Sequence, residues 1–494
     1  MSLAWSVVRP RWGSLLLGLG LSAVVSSSCG NSDSKRKTPA DYRSAGAGGE
    51  GGEALADEGG GPALSPSAAG AAGSSDEKGG GGAAGADGSE MAQAGAGGRA
   101  EPLVETIVSA DVNLSTDSLT AGRSCAEAVA YSVIALSGST ATLTGAPDSD
   151  CLAVDDEVLL VNLQGTATEH NNVGRWELLH VAELAGPKIT FERSVARIYG
   201  SGVSNAGLGV TADDQRVALV RVPRFGRLVI EQGVTLTAQA WDGVLGGVVA
   251  LRATKLELAG TISVAALGYR GGRWSEDDYT CYHSTQTEAG ESIGGLGTAT
   301  TLRNLGASGG IGPAVTSFNA DNAVVATPAH SQAGEPGFNP KGRTIGEPGL
   351  AYGAPDATTL TMGSGPGGAL SCTFAPIETT PYLFVGTTGQ GGGIAVLLVD
   401  DLQVQPTGAI NATPPDAERD VAFAGGYVFL HGSKLDLGDG QVTALGSTGN
   451  RPQGPFMGQS NHGSPGYIVV SAPNVTGTTN PPALSAATIP APGL

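Results

Sequence analysis

Bulky apolar side chains are scarce in this sequence, and so are cations. Aromatic residues make up 5% of the 494 residues and charged residues 15%. A chain so poor in large groups does not build a thick core from end to end. Its order has to come from strands and tight turns, with some stretches left unfolded. Lys and Arg number 27 against 46 Asp and Glu, a formal charge of −19. That balance excludes a nucleic-acid partner, which needs clustered basic groups, and argues against an anionic membrane surface. The acidity reads as solubility, with weak calcium binding by acidic loops as the other reading. The five cysteines show no C-x-x-C spacing, so neither zinc nor thioredoxin chemistry is indicated, and no cofactor is expected.

Glycine is what the chain has in excess, at 79 residues, more than twice the usual share. Before the glycine begins to dominate, Arg9 and Arg11 precede an apolar run over 14–25, followed by Ser26-Ser27-Ser28-Cys29-Gly30. Basic, apolar, small is the order of a secretory signal. Twelve residues at about 1.5 Å each give a helix of about 18 Å, too short for a bilayer core of about 30 Å. The end of the run resembles the lipobox of bacterial lipoproteins, in which a small residue precedes the lipid-accepting cysteine. Ser28 and Cys29 fit, while Ser26 stands where that family usually has Leu. Ordinary signal cleavage after Ser28 is the rival. Either way the expectation for residues 1–29 is export, as an outer-membrane lipoprotein or to the extracellular side, with Cys29 as the lipidation site and the envelope lipid as its first partner.

Residues 30–101 are Gly, Ala, Ser and scattered acids. Such a segment buries too little surface to offset its conformational entropy, so a disordered tether is expected. Its reach is roughly 45 Å for about 70 flexible residues. The four remaining cysteines pair most simply as Cys125–Cys151 and Cys281–Cys372, one of three connectivities that four cysteines allow.

The pattern changes after the tether. Strand-length apolar segments at 128–136, 141–146, 157–163, 175–184, 188–193 and 216–225 are separated by turn residues. Six short strands at this spacing predict a small antiparallel barrel or sandwich over 102–225. His170, His180 and Glu177 lack a third ligand at useful spacing, so surface or half-buried histidines are expected there.

From 226 to 472 the chain repeats itself. Gly246-Gly247, Gly392-Gly393 and Gly425-Gly426 each open an apolar stretch with a leucine nine residues after the second glycine: Leu256, Leu402 and Leu435. Leu258, Val404 and Leu437 follow two later, and a Gly-x-apolar-x-small closure ends each unit at Val264, Ala412 and Ala444. The run beginning at Gly466 looks like a truncated copy, and 228–236 like an incoming half. One unit cannot bury its apolar side alone, but stacking on a neighbour can. The expectation is an all-β chain: the small barrel or sandwich, then a right-handed parallel β-helix-like solenoid, with a glycine-rich β-sandwich as the competing fold. An insertion over 268–391, holding Cys281 and Cys372, reads as a covering flap or a functional surface. The Pro- and Thr-containing stretch 473–494 reads as a tail.

The run Arg221-Val-Pro-Arg-Phe225 and the Gly-Gly units with their Gly-x-Ile-x-Ala-like closures resemble the glycine-rich surface proteins of gliding bacteria, some of which carry the label adventurous gliding motility protein. The resemblance covers roughly residues 110–472. It implies an envelope or extracellular location and a structural or adhesive role, and it supplies no catalytic residues. The matches to G-x-S-x-G around Ser308 and to G-x-G-x-x-G over 363–368 lack the helix that each motif needs, so no catalytic residue is expected. The one acidic cluster, Glu276, Asp277 and Asp278, has Trp274, Tyr279 and Tyr282 beside it and His283, Glu288 and Glu291 close behind. Aromatics beside acids suit a surface glycan or another surface protein, and any binding site is expected here. Packing of the aromatics against the repeat and solvated acids are the simpler reading. Paired carboxylates on a β-helix surface, as in polysaccharide lyases and hydrolases, are the remaining one.

Overall fold

The computed structural model describes residues 105–272, 289–297, 326–338, 344–367, 389–416, 422–449 and 462–486, with residue 306 and short pieces at 310–311, 369–373 and 382–386. All of them fall within one unit, Ala94–Leu494. No helix occurs among the described residues, which are all-β.

Two short strands, β1 (Glu105–Val108) and β2 (Val112–Asn113), come first. A closed barrel follows, built from β3 (Ala130–Ser137), β4 (Thr140–Leu143), β5 (Glu157–Gln164), β6 (Trp176–Ala185), β7 (Lys188–Phe191) and β8 (Arg216–Arg221) in the order β3-β4-β7-β6-β5-β8. Every barrel pairing is antiparallel. Alternate residues of a strand face opposite sides. Val158 and Leu160 of β5, with Val217 and Leu219 of β8, fill the barrel. Leu159, Val161 and Leu163, with Ala218 and Val220, belong instead to the larger core outside it. That double duty is why all eight residues of β5 are buried and why its sequence reads as a near-continuous apolar run. The Cys125–Cys151 disulfide forms beside the barrel's first hairpin, across 26 residues.

The larger core belongs to a parallel arrangement. Its strands are β9 (Arg224–Ile230), β10 (Thr235–Thr237), β11 (Val248–Leu258) and β12 (Thr261–Ser263) before the insertion. The insertion contributes β13 (Ala289–Ser292), β14 (Gly295–Gly297), β15 (Gly310–Ile311), β16 (Gly337–Phe338), β17 (Thr344–Gly346), β18 (Ala369–Thr373) and β19 (Tyr382–Gly386). After it come β20 (Ile394–Val404), β21 (Ala409–Asn411), β22 (Tyr427–His431), β23 (Lys434–Thr443), β24 (Tyr467–Ser471), β25 (Asn474–Asn480) and β26 (Leu484–Ser485).

Equivalent positions of the repeat lie side by side. Val248, Ile394, Tyr427 and Tyr467 are successive parallel partners. Leu228, Leu256, Leu402, Leu435 and Val475 form a second row, and Leu236, Ile262, Ile410 and Val442 a third. The first four leucines of the second row are all but fully buried, whereas Val475, on the last strand of its row, is 43% exposed. Layers of short parallel strands thus shield one another's aliphatic side chains.

The stack extends beyond the expected bounds at both ends. β1 and β2 pair with β9 and β10, so the barrel is inserted between two neighbouring layers and the stretch from residue 102 does not belong to it alone. At the other end, β25 and β26 pair with β23 and β24, where composition predicts a tail from residue 473. A last layer has only one neighbour to cover it, so Thr and Asn suffice there and the sequence looks like loop.

Candidate functional site

A charge inside a buried strand has to be paired and hydrogen-bonded. Among the described residues four carboxylates are buried: Glu127, Glu157, Glu177 and Glu291. Each meets an arginine. Glu157, at the start of β5, takes a two-pronged contact from Arg252 of β11, at 2.6 Å on both oxygens. Glu291 of β13 is gripped the same way by Arg270, at 2.8 and 3.0 Å, and accepts from Gln164 of the barrel at 3.0 Å. Glu177 accepts from Arg193 at 3.0 Å and from the Ala196 and Arg197 amides. Glu127 caps the Leu119 and Thr120 amides and faces Arg221. Two of the four fasten parts of the fold together: Glu157 joins barrel to stack, and Glu291 joins insertion to barrel.

Aromatic groups complete the junction. Trp176 of the barrel lies 5.5 Å from Phe429 of the stack between ring centroids, and its indole nitrogen donates to the Ala357 carbonyl of the insertion at 2.8 Å. Tyr269 is buried and its hydroxyl donates to the Leu163 carbonyl; burial pushes its ionisation well above the ordinary tyrosine range.

His330 of the insertion is fully enclosed against Tyr352, Tyr427 and Tyr467, with centroids at 5.1, 6.5 and 5.1 Å. Its Nδ1 lies 2.7 Å from the Gly425 carbonyl and its Nε2 2.8 Å from the Thr361 hydroxyl. The carbonyl only accepts, so Nδ1 carries the proton and Nε2 accepts from Thr361. Burial pushes its pKa down to about 4, against the opposing pull of the Gly425 carbonyl. Both ring nitrogens are engaged, so the imidazole acts as a strut.

The outward, mostly half-buried faces of the strands carry regular rows. On one, Glu105, Arg227, Lys255, Asp401 and Lys434 are successive partners. Arg227 binds Glu105 and Glu257, and the bonds from Arg227 and Lys255 pull Glu257 down to about 2. On another, Asn113 lies beside Thr237, and Ser263, Asn411, Thr443 and Asn480 form an uncharged row. Thr237 donates to the Ser263 carbonyl at 2.8 Å and Thr443 to Asn411 at 3.0 Å, so these side chains hold layer to layer.

Of the residues expected to bind, Trp274, Glu276, Asp277, Asp278, Tyr279 and Tyr282 lie outside the described residues, as do Cys29, Cys281, His283 and Glu288. Cys372 falls on β18, and the proposed bond to Cys281 lies outside the described residues with its partner. Glu291 is separated from any exposed surface: it is the buried arginine partner above. His170 bonds the Thr166 carbonyl in a barrel loop, His180 stands opposite Glu157 across β5 and β6, and Glu177 is bound as described. Among the described residues no group of three or more His, Cys, Asp or Glu is placed to hold a metal ion. Sequence reasoning missed Arg252, Arg270 and His330. A signal existed for Arg252, a lone charge within Val-Val-Ala-Leu-Arg-Ala, since an ion inside an apolar strand implies a buried counter-ion. No known protein-family model matches the chain, and no curated protein matches it.

Proposed function

We propose that this chain is an exported bacterial lipoprotein whose body is a parallel β-solenoid with an inserted barrel, serving as a structural or adhesive element of the cell envelope without enzymatic activity. The supporting observation is the register of the repeat: Val248, Ile394 and Tyr427, each directly after its Gly-Gly pair, and Tyr467, directly after Gly466, are successive parallel partners. Such a stack forms long, flat, regularly spaced faces. Right-handed crossovers are expected for it, since parallel connections almost always take that hand. The buried carboxylates are tied to arginines in joints between parts, which suits a scaffold. The Cys125–Cys151 bond fits an oxidising compartment. Cys29 takes the lipid, the glycine-rich tether holds the body clear of the membrane, and a surface glycan or another surface protein is met by the body, in a role akin to the gliding-surface proteins it resembles.

The test is the mature N-terminus. Mass spectrometry of the protein from a lipoprotein-processing host is expected to show a diacylglyceryl-modified Cys29 as the first residue, and Cys29→Ser is expected to move the body from the membrane to the soluble exported fraction. An unmodified Cys29 in a cytosolic chain contradicts the reading.

A further inference from the structure

Beside the stack runs a second structure made of segments that are neither strand nor helix. In the stretch 268–272 the amides of Gly268 and Gly271 both donate to one neighbour, the carbonyls of Gly391 and Gly389. Those of Tyr269 and Gly272 both donate to a second, the carbonyls of Gly363 and Pro366. The amide of Arg270, between them, donates to a third, the Glu291 carboxylate, at 3.0 Å. Partners recur every third residue. A strand addresses two sides with a period of two and an α-helix bonds within itself; a period of three with only external partners belongs to the extended helix of three residues per turn.

The segment at 363–365 repeats the pattern. Three consecutive amides, of Gly363, Ser364 and Gly365, donate to three different segments, at the carbonyls of Gly392, Ala329 and Glu291. Glycine is required for the close approach. A Cβ on Gly268 would overlap the Gly392 carbonyl, and one on Gly363 would overlap the Gly425 carbonyl.

We infer that these segments form a bundle of glycine-rich helices with three residues per turn, and that the bundle is a clasp fastening the insertion to the stack. The segments ending at Gly393, Gly426 and Gly466 lead directly into β20, β22 and β24. The clasp therefore assembles fully only when those three layers are in register, and it makes closure of the insertion depend on the completed stack. His330, bonded to the Gly425 carbonyl, sits on the same device.

Hydrogen exchange on the full-length protein tests this. The amides of Gly268, Gly271, Gly363, Gly365 and Gly391 are expected to exchange at least roughly 100-fold slower than unstructured chain, although none lies in a strand. In Gly363→Ala, protection at Gly268 and Gly391 is expected to fall at least 10-fold while that of β11 holds. Gly145→Ala, at a position with open space around it, is expected to change nothing. If Gly363→Ala does not fold, hydrogen-bond scalar couplings in the wild type give the answer: Gly268 and Gly271 should couple to 391 and 389, Tyr269 and Gly272 to 363 and 366. Rapid exchange at these wild-type amides, couplings to other carbonyls, or a Gly363→Ala protein matching Gly145→Ala overturns the inference.

Discussion

Trp176 of the barrel packs its indole against Phe429 of the stack, with centroids 5.5 Å apart and planes inclined at 57°. The same indole donates to Ala357 of the insertion, so one side chain touches all three parts. Removing it leaves a large cavity and an unbonded carbonyl. Trp176→Ala is expected to cost about 3–5 kcal/mol in chemical denaturation, and Trp176→Phe, which keeps the stacking and loses the bond, clearly less. Equal losses from the two would show that the contact with Phe429 carries little.

The Glu157–Arg252 pair makes a different prediction. Glu157 is buried, so Arg252→Met strands a charge and is expected to cost about 3–5 kcal/mol. The double variant Glu157→Leu/Arg252→Met should recover much of that loss. A double variant as unstable as the single one would mean that the pair does more than neutralise itself.

These two joints also mark what the sequence reveals. The barrel strands were legible because strand-length apolar segments and turn residues agree: the stretch predicted at 157–163 is β5, Glu157–Gln164, and that at 188–193 is β7, Lys188–Phe191. The repeat was legible because leucines nine residues after each glycine pair occupy one row. The coupling of β1 to β9 was not, since the partners Glu105 and Arg227 lie 122 positions apart and nothing local in Glu-Thr-Ile-Val announces a distant partner. The glycine clasp was also hidden. Its period of three persists for only a turn or two in each segment, too short to stand out from a glycine-rich background.

Acid should loosen the clasp. The folded-state pKa of His330, about 4, lies below the ordinary 6.5, so between these values the unfolded chain binds more protons. Stability contributed by the neutral ring is full above about pH 6.5 and is lost as pH falls towards 4, at about 1.4 kcal/mol per unit of difference. Denaturation of wild type and His330→Gln across pH 4–7 is expected to show a steeper fall for the wild type. Parallel curves would remove His330 as the cause.

The Cys125–Cys151 bond closes a loop across 26 residues. Replacing both cysteines by serine is expected to lower stability by about 3 kcal/mol, read as a lower denaturant midpoint in a single transition, with a somewhat steeper slope because the unfolded chain is freer to expand. A larger loss with two separate transitions would point to a barrel that unfolds on its own.

The registered stack is tested most directly by cross-linking. Lys255 and Asp401 are direct partners on adjacent strands, as are Asp401 and Lys434; adjacent strands lie about 4.8 Å apart, within disulfide reach. Under mild oxidation, cysteines placed at 255 and 401, or at 401 and 434, should join rapidly, as read by peptide mass spectrometry. The pair 255 and 434, two layers apart at about 9.6 Å, should stay reduced. Joining of 255 to 434, or failure of both adjacent pairs, would contradict the layer order on which the scaffold reading stands.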